Sequence, residues 1–427
     1  MWVVERLDVD GEELPVIRHA KTWLPAPIAL RYALRTRYRL GPASLAGHLR
    51  AVAILYSWAE SEEGVGDFED FLTSGRTLTR DQLLTFLPYL QSRRFYAAGE
   101  LDDLAPDRLT LPPVVCNQTF NNRLTAVTRF LEWAVEPANH GGEMLFDEDE
   151  RETQTSKMIR LTNGERLSVG ESPRPDPVTW EEVSLIRKAI MPDEFGKFPP
   201  NVFTEATRYR NWIMFEVALN LGVRKGELLT LKLSHLPAMS DVRQFFFVPR
   251  QQDAQEDPRK RRRPRGKTNE RRVPLMEPNL LPSILGYRDE APPIGRNDPS
   301  ITSPYFFMTT EGGPIAVGTA DHIIKQIGKY AARLLDEDTM LDEHMRERRK
   351  ESLLALTWHR LRHTWAEQAA LMLYRKHGAG AWAILKEWGG WNREESMERY
   401  IENAKRAISE QAGREYLSAL SKKGQSR

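Results

Sequence analysis

"TWHRLRHTWAEQAA", residues 357–370, sets His359, Arg360, Arg362 and His363 within five positions and then turns apolar. Thr357 has the hydroxyl an N-cap needs, so the stretch is expected to open a helix. Residues three apart share a helix face, which aligns His359 with Arg362 near the positive end of the helix dipole. That is a poor place for cations and a good one for an anion, because backbone N–H groups and side chains donate to it together. A solvated basic face is the competing reading. The spacing of His359 and His363, four apart, also raises a metal site. No cysteine stands at a ligand spacing, and Arg360 and Arg362 would repel a dication, so no metal is expected.

The chain has 427 residues, enough for two or three domains with real cores. Its net charge of +1 excludes a global basic excess but not a local basic face. The single cysteine, Cys116, excludes a disulfide framework and a cysteine-based zinc site within one chain. The start, "MWVVERLDVDGEELPV", lacks the layout of a signal peptide, and no apolar run approaches the ~18 residues that span a bilayer. A soluble intracellular protein without a membrane partner is expected.

Outward from the opening stretch, the pattern divides the chain. Residues 1–40 are mixed and weakly periodic and are treated as an N-terminal extension. Leu45, Leu49, Val52, Leu55 and Trp58 fall at helical spacing, as do Phe120, Leu124, Val127, Leu131 and Ala134. Between them "TRDQLLTFLPYLQSRRF" predicts a helix bent or interrupted near Pro88. Residues 41–138 are thus expected to form a small helical domain. An acidic and then proline-rich stretch, 139–177, reads as a linker. Thr179 and Glu182 stand in the relation of a capping box, and 205–221 predicts a long helix stopped by Gly222. "QFFFVP" and "RRVPL" predict short strands. The loop between them is acidic in its first half and basic in its second. Helices resume after "SPYFFM", and "GREYLSALSKK" predicts a short amphipathic helix of its own near the C-terminus.

Four further features carry chemical possibilities. Arg224 follows the Gly222 break at a helix start, where its fork can hold two oxygens of a phosphate, with Glu227 one turn later to orient it. Lys267 lies just before the second strand. The run Arg259, Lys260, Arg261, Arg262, Arg263 and Arg265 reads as a patch that tracks a nucleic-acid backbone, against a plain solvated loop. Met397, Tyr400, Ile401 and Ala404 share a helical stripe, so Tyr400 taken alone is a packing residue, and Trp391 after two glycines a core cap.

Together the order is distinctive: an arginine, a lysine on a hairpin, His-x-x-Arg, then a tryptophan nine positions before a tyrosine. In "LNLGVRKGELLTLKLSHL", "GKTNERRVPL", "HRLRHTWAEQAA" and "GGWNREESMERY" the sequence resembles the tyrosine recombinase (phage integrase) family. The resemblance covers about 178–408, and more weakly "FNNRLTAVTRFLEWAV". It implies a mainly α fold with a small β-sheet: a helical core-binding domain that clamps DNA plus an α+β catalytic domain at 178–408. Tyr400 would be the nucleophile, Arg224 and Arg362 the phosphate clamp, Lys267 the acid for the leaving oxygen and His359 the base. Trp391 stands where the family often has histidine. Indole is donor-only, so it can hydrogen-bond or buttress but not take a proton. The hairpin loop is longer than usual, and "YRKHGAG" widens the gap between Arg362 and Trp391.

The implied activity is site-specific DNA strand exchange, as in integration, excision or transposition of a mobile element, through a 3′-phosphotyrosine and a four-way junction. The implied partners are double-stranded DNA recombination sites and three further copies of the chain. That is a homotetramer on DNA and a monomer or dimer when free, with residues 409–427 donated to a neighbour or packed on their own chain. No cofactor is needed, since the covalent bond conserves the energy for rejoining. A cytoplasmic, prokaryotic, DNA-associated setting follows. A type IB topoisomerase-like activity shares the same residue set, and a catalytically inactive DNA-binding accessory protein is the rival of another class. Residues 1–40 are left with three roles: arm-site binding, contact with another protomer, or completion of the first domain.

Overall fold

The computed structural model describes residues 1–9, 12–61, 63–92, 114–140, 147–169, 176–200, 203–241, 244–249, 257–259, 264, 270–289, 303–336 and 341–424. It divides into two compact units, Met1–Pro173 and Arg174–Arg427. Among the described residues, helices dominate and the strands form two antiparallel pairs.

The first unit runs β1 (Trp2–Val9), β2 (Glu12–His19), α1 (Pro27–Thr36), α2 (Pro42–Ala59), α3 (Phe68–Thr73), α4 (Arg80–Gln91), α5 (Asn117–Ala134), α6 (Pro137–His140) and α7 (Glu148–Gly164). The predicted apolar stripes of α2 and α5 are buried to the last residue in a shared core; α5 turns one face to it, whereas α2 is buried on every side from Ala51 to Tyr56. Leu14, Val16 and Ile17 of β2 and Ile28, Ala29, Tyr32 and Ala33 of α1 enter that same core. Residues 1–40 therefore complete the first unit. Its other end reaches past 138: Met158 of α7 is buried, and Asn121 binds the Leu167 backbone both ways, at 2.8 and 3.0 Å. Helix α4 runs through Pro88 to Gln91, because that proline lies on the exposed side, where an unbonded carbonyl one turn back meets water.

The second unit runs α8 (Trp180–Ile190), α9 (Glu205–Leu221), α10 (Lys225–Leu229), β3 (Phe245–Val248), β4 (Arg271–Pro274), α11 (Leu281–Asp289), α12 (Val317–Leu334), α13 (Glu343–Leu354), α14 (Trp358–His377), α15 (Ala381–Gly389) and α16 (Glu398–Gly424). The capping box on α8 forms through Thr179 and Glu182. Gly222 ends α9 at φ 57°, and a Cβ there would lie 2.1 Å from the Trp365 ring, so both conformation and space demand glycine. Strands β3 and β4 pair with Phe246 opposite Val273, both fully buried. Helix α14 is buried along its first half and packs against α9, α15 and α16.

The C-terminal expectation is corrected. No separate helix begins near 413: α16 is one continuous helix of 27 residues. Gly413 has open space around it, and a glycine there weakens a helix without ending it. No helix among the described residues is long and apolar enough to cross a membrane.

Candidate active site

The four residues of the opening cluster part company on α14. Thr357 caps the helix by accepting from the Arg360 N–H at 3.3 Å. Arg360 turns to the Asp176 carbonyl at 2.8 Å and to Ser352, and is structural. Arg362 faces the opposite way and is 3% exposed. Its Nη1 donates to the Gly222 carbonyl and its Nη2 to the Gly389 carbonyl, each at 2.6 Å. Those carbonyls end α9 and α15, so two helix termini fix the guanidinium and leave the rest of its fork for another acceptor.

Arg224 is the N-cap of α10 and stands two residues beyond Gly222. Glu227 ties it down: the carboxylate accepts from the Arg224 N–H at 2.8 Å and from Nη1 at 3.2 Å. The same carboxylate takes both Nη groups of Arg271, at 3.0 and 2.7 Å. Burial pushes the Glu227 carboxyl up, but Arg271, the Arg224 N–H and Arg362 outweigh it and hold the pKa at about 2. One carboxylate thus serves three guanidinium groups.

The balance falls on Arg362. Burial, then the charge of Arg224, drive its pKa down to about 9. A guanidinium keeps its proton at working pH, so the shift measures how poorly this buried cation is compensated. His359, at the exposed rim, is also lowered, by burial first and then by Arg362 and Arg224. It is a neutral imidazole at neutral pH. Both shifts require Arg224, Arg362 and His359 to lie close enough to feel one another.

Tyr400 closes the site from α16. It is 5% exposed, and its hydroxyl is hydrogen-bonded to His363 Nδ1. The His363 ring meets His359 edge-on, with centroids 4.4 Å apart. Trp391 stacks on Trp365 at 6.2 Å, lies 5.7 Å from the Tyr400 ring, and carries the Arg362 guanidinium 4.6 Å above its own. Trp391 therefore buttresses the clamp. A Cβ on Gly389 would come within 1.9 Å of the indole. The two glycines before Trp391 let it lie flat against the end of α15.

No family model and no curated protein sequence matches the chain. In three dimensions it is similar to the XerH site-specific recombinase in a post-cleavage complex with palindromic difH substrate, with a TM-score of 0.52 over 91% of this chain and 84% of that one at 14% identity. The chain has the tyrosine-recombinase fold. The Tn1549 transposon integrase in complex with transposon right end DNA aligns over 90% of this chain and 98% of that one, with a TM-score of 0.49 and 14% identity.

Within the tyrosine-recombinase fold, Arg224, His359, Arg362, Trp391 and Tyr400 gather at one place. Lys267 lies outside the described residues, as do Lys260, Arg261, Arg262, Arg263 and Arg265. Arg259 is a correction: it does not face outward with a basic patch but is buried, with its guanidinium bound to Asp257 and to two backbone carbonyls. Two residues were not assigned from sequence. His363 was weighed only as a metal ligand, and Arg271 was read as part of a strand. The signal for His363 was its place one turn after His359. Among the described residues, no group of three metal-ligating side chains comes together.

Proposed function

We propose that the chain is a site-specific DNA recombinase that cleaves and rejoins DNA through a 3′-phosphotyrosine. The observation that carries this is a cluster of three arginines around one buried carboxylate, with a phenol beside it. A phosphodiester brings one negative charge, and attack on phosphorus builds a second. Arg224 and Arg362 hold the non-bridging oxygens. The Tyr400 oxygen bonds to phosphorus as the bond to the 5′ oxygen breaks. A phenol with a pKa of about 10 must shed its proton as it attacks. The His359–His363 pair receives it, His363 being the member in contact with the hydroxyl. Lys267 gives a proton to the departing 5′ oxygen. The 5′ hydroxyl of a partner strand then attacks the phosphotyrosine, which restores the phenol. Positioning and fixed charge supply the catalysis, and no cofactor is called for.

Double-stranded recombination sites are the substrate, and a homotetramer on two sites is the working assembly. Tyr416, exposed on the far part of α16, marks the segment proposed to reach a neighbour. Of the basic run, Lys260, Arg261, Arg262, Arg263 and Arg265, without Arg259, are proposed to follow the DNA backbone.

The test is a nicked candidate site drawn from the flanks of the gene. The expected outcome is a covalent protein–DNA adduct on Tyr400, absent in Tyr400→Phe. An unaltered activity in Tyr400→Phe would leave the DNA-binding accessory reading. Relaxation of supercoiled DNA without any recombination site would move the reading to a type IB topoisomerase.

A further inference from the structure

Glu227 and Arg271 are both buried. Arg271 opens β4, and Glu227 lies in the middle of α10, whose N-cap is Arg224. Each Glu227 oxygen accepts twice. Oε1 accepts from Nη1 of Arg271 at 3.0 Å and from Nη1 of Arg224 at 3.2 Å. Oε2 accepts from Nη2 of Arg271 at 2.7 Å and from the Arg224 backbone N–H at 2.8 Å. A carboxylate has about four acceptor sites, and these bonds occupy them. Arg271 Nε donates to the Trp388 carbonyl at 2.8 Å. Trp388 precedes Gly389, whose carbonyl holds Arg362. One guanidinium therefore touches both the carboxylate that ties Arg224 and the helix end that anchors Arg362. Arg224 is the opposite case. It is half-buried, gives Glu227 one Nη, and donates its Nε and Nη2 to no other group among the described residues. Burial pushes the Glu227 carboxyl up, and Arg271 does most to bring it back down. The main partner of the carboxylate is Arg271, and most of the Arg224 fork is left over.

We propose that Arg271 is a positioning residue that keeps Arg224 available to a phosphate by occupying Glu227. Without it, two acceptor sites open on a buried carboxylate that Arg224 already touches. Arginine and carboxylate favour a two-bonded fork, so the Arg224 guanidinium turns onto Glu227 and one arm of the clamp is neutralised. The proposal rests on the reading of Arg224 and Arg362 as a phosphate clamp, and names what keeps that clamp charged. Three guanidinium groups around one carboxylate leave two positive charges in excess. Removing Arg271 alone leaves one. Removing Arg271 together with the Glu227 charge leaves two again, on the two arginines assigned to the phosphate.

The experiment measures covalent adduct formation on the nicked site with two forms of the scissile group. One is the natural phosphodiester. The other is a methylphosphonate, in which a methyl replaces one non-bridging oxygen and no charge remains. Full chains carrying Arg271→Met, Arg271→Met with Glu227→Gln, and Arg224→Met are compared with the unsubstituted protein. Glutamine keeps an acceptor for the Arg224 N–H but not the charge. Folding is checked by thermal melting. Arg271→Met should slow cleavage of the phosphodiester by about tenfold or more, short of the ~10²–10³-fold that losing a whole oxyanion donor costs. On the methylphosphonate the loss should shrink to about threefold or less, because electrostatic demand falls with the charge. The double variant should regain most of the loss on the phosphodiester. It should also stay folded, since replacing both members of a buried ion pair is far milder than removing one. If Arg271→Met does not fold, the double variant decides alone, and a folded double variant slowed by about tenfold or more on the phosphodiester sinks the idea. Equal slowing of Arg271→Met on both substrates, or a double variant as slow as the single one, would make Arg271 a structural link and overturn the positioning role. Arg224→Met slowed equally on both substrates would remove the clamp itself, and this proposal with it.

Discussion

Two clusters of buried charge in the second unit are built from the same residue types and balanced in opposite directions. In one, Arg187 lies between two carboxylates: its Nε and Nη2 meet Glu216 at 2.9 and 2.7 Å, and Nη2 meets Glu277 at 2.6 Å. Trp212 and Asn220 also donate to Glu216. Burial opposes the Arg187 charge, but Glu216 and Glu277 outweigh it. In the other, the single carboxylate of Glu227 stands among Arg224, Arg271 and Arg362. The first cluster has two carboxylates for one guanidinium, and burial still holds the Glu216 carboxyl above its ordinary range despite Arg187, so its excess is negative. The second lacks negative charge and has side chains aimed where an anion would go. Charge balance, more than burial, separates a structural ion pair from a site.

The comparison predicts opposite failures. Arg187→Met leaves Glu216 buried without its main partner, and should destabilise the second unit by about 3–5 kcal/mol, read as a lower denaturant midpoint, while cleavage well below melting stays near normal. Arg362→Met should slow covalent adduct formation by ~10²–10³-fold, as loss of an oxyanion donor does elsewhere. Its stability loss should be much the smaller of the two, because an ill-compensated cation leaves with the side chain. If Arg362→Met melts as early as Arg187→Met, Arg362 is a structural residue and the contrast collapses.

The legible parts of the molecule were those with a local signature. The stripes of α2 and α5, the Thr179–Glu182 box and the Gly222 stop follow from spacing and residue type, and all appear in the fold. The β1–β2 hairpin did not announce itself, because β2 buries four consecutive residues, Leu14–Ile17, rather than alternating ones. In the candidate site, Arg224, His359, Arg362, Trp391 and Tyr400 were singled out by their order along the chain. His363 was not given a role because its partner is 37 positions away. Arg259 looked like any member of a basic run. Only Asp257, two residues earlier, hinted that one arginine of the run was matched and would turn inward.

A smaller effect separates the two units. Gly389→Ala drives a Cβ into the Trp391 indole and displaces the carbonyl that holds Arg362. It should cost about 1–3 kcal/mol, as overpacking does, and slow cleavage as well. The same substitution at Gly47, within α2, meets nothing within 4 Å. There it should stabilise the first unit by up to about 1 kcal/mol, from helix propensity alone. Calorimetric melting of both variants checks the pair, and a loss at Gly47 equal to that at Gly389 would show that the first unit is packed as tightly as the site.

The smallest expected effect is in pH, and it sharpens the over-positive reading of the Glu227 cluster. Burial, Arg362 and Arg224 hold the His359 pKa below its ordinary 6.5. The neutral, base-competent form therefore persists to lower pH in the free protein, and protonation destabilises the folded state as pH falls past 6.5 toward the lowered value. On the proposed function, a bound phosphate would supply the missing negative charge and push the same imidazole back up. The acid limb of cleavage under limiting enzyme–DNA encounter should then lie below 6.5, and the limb for the preformed complex should lie at higher pH than that. His359→Asn should abolish the difference between the two profiles. If both limbs coincide in the unsubstituted protein, the phosphate does not enter the space between Arg224, Arg362 and His359, and the excess positive charge there serves something other than DNA.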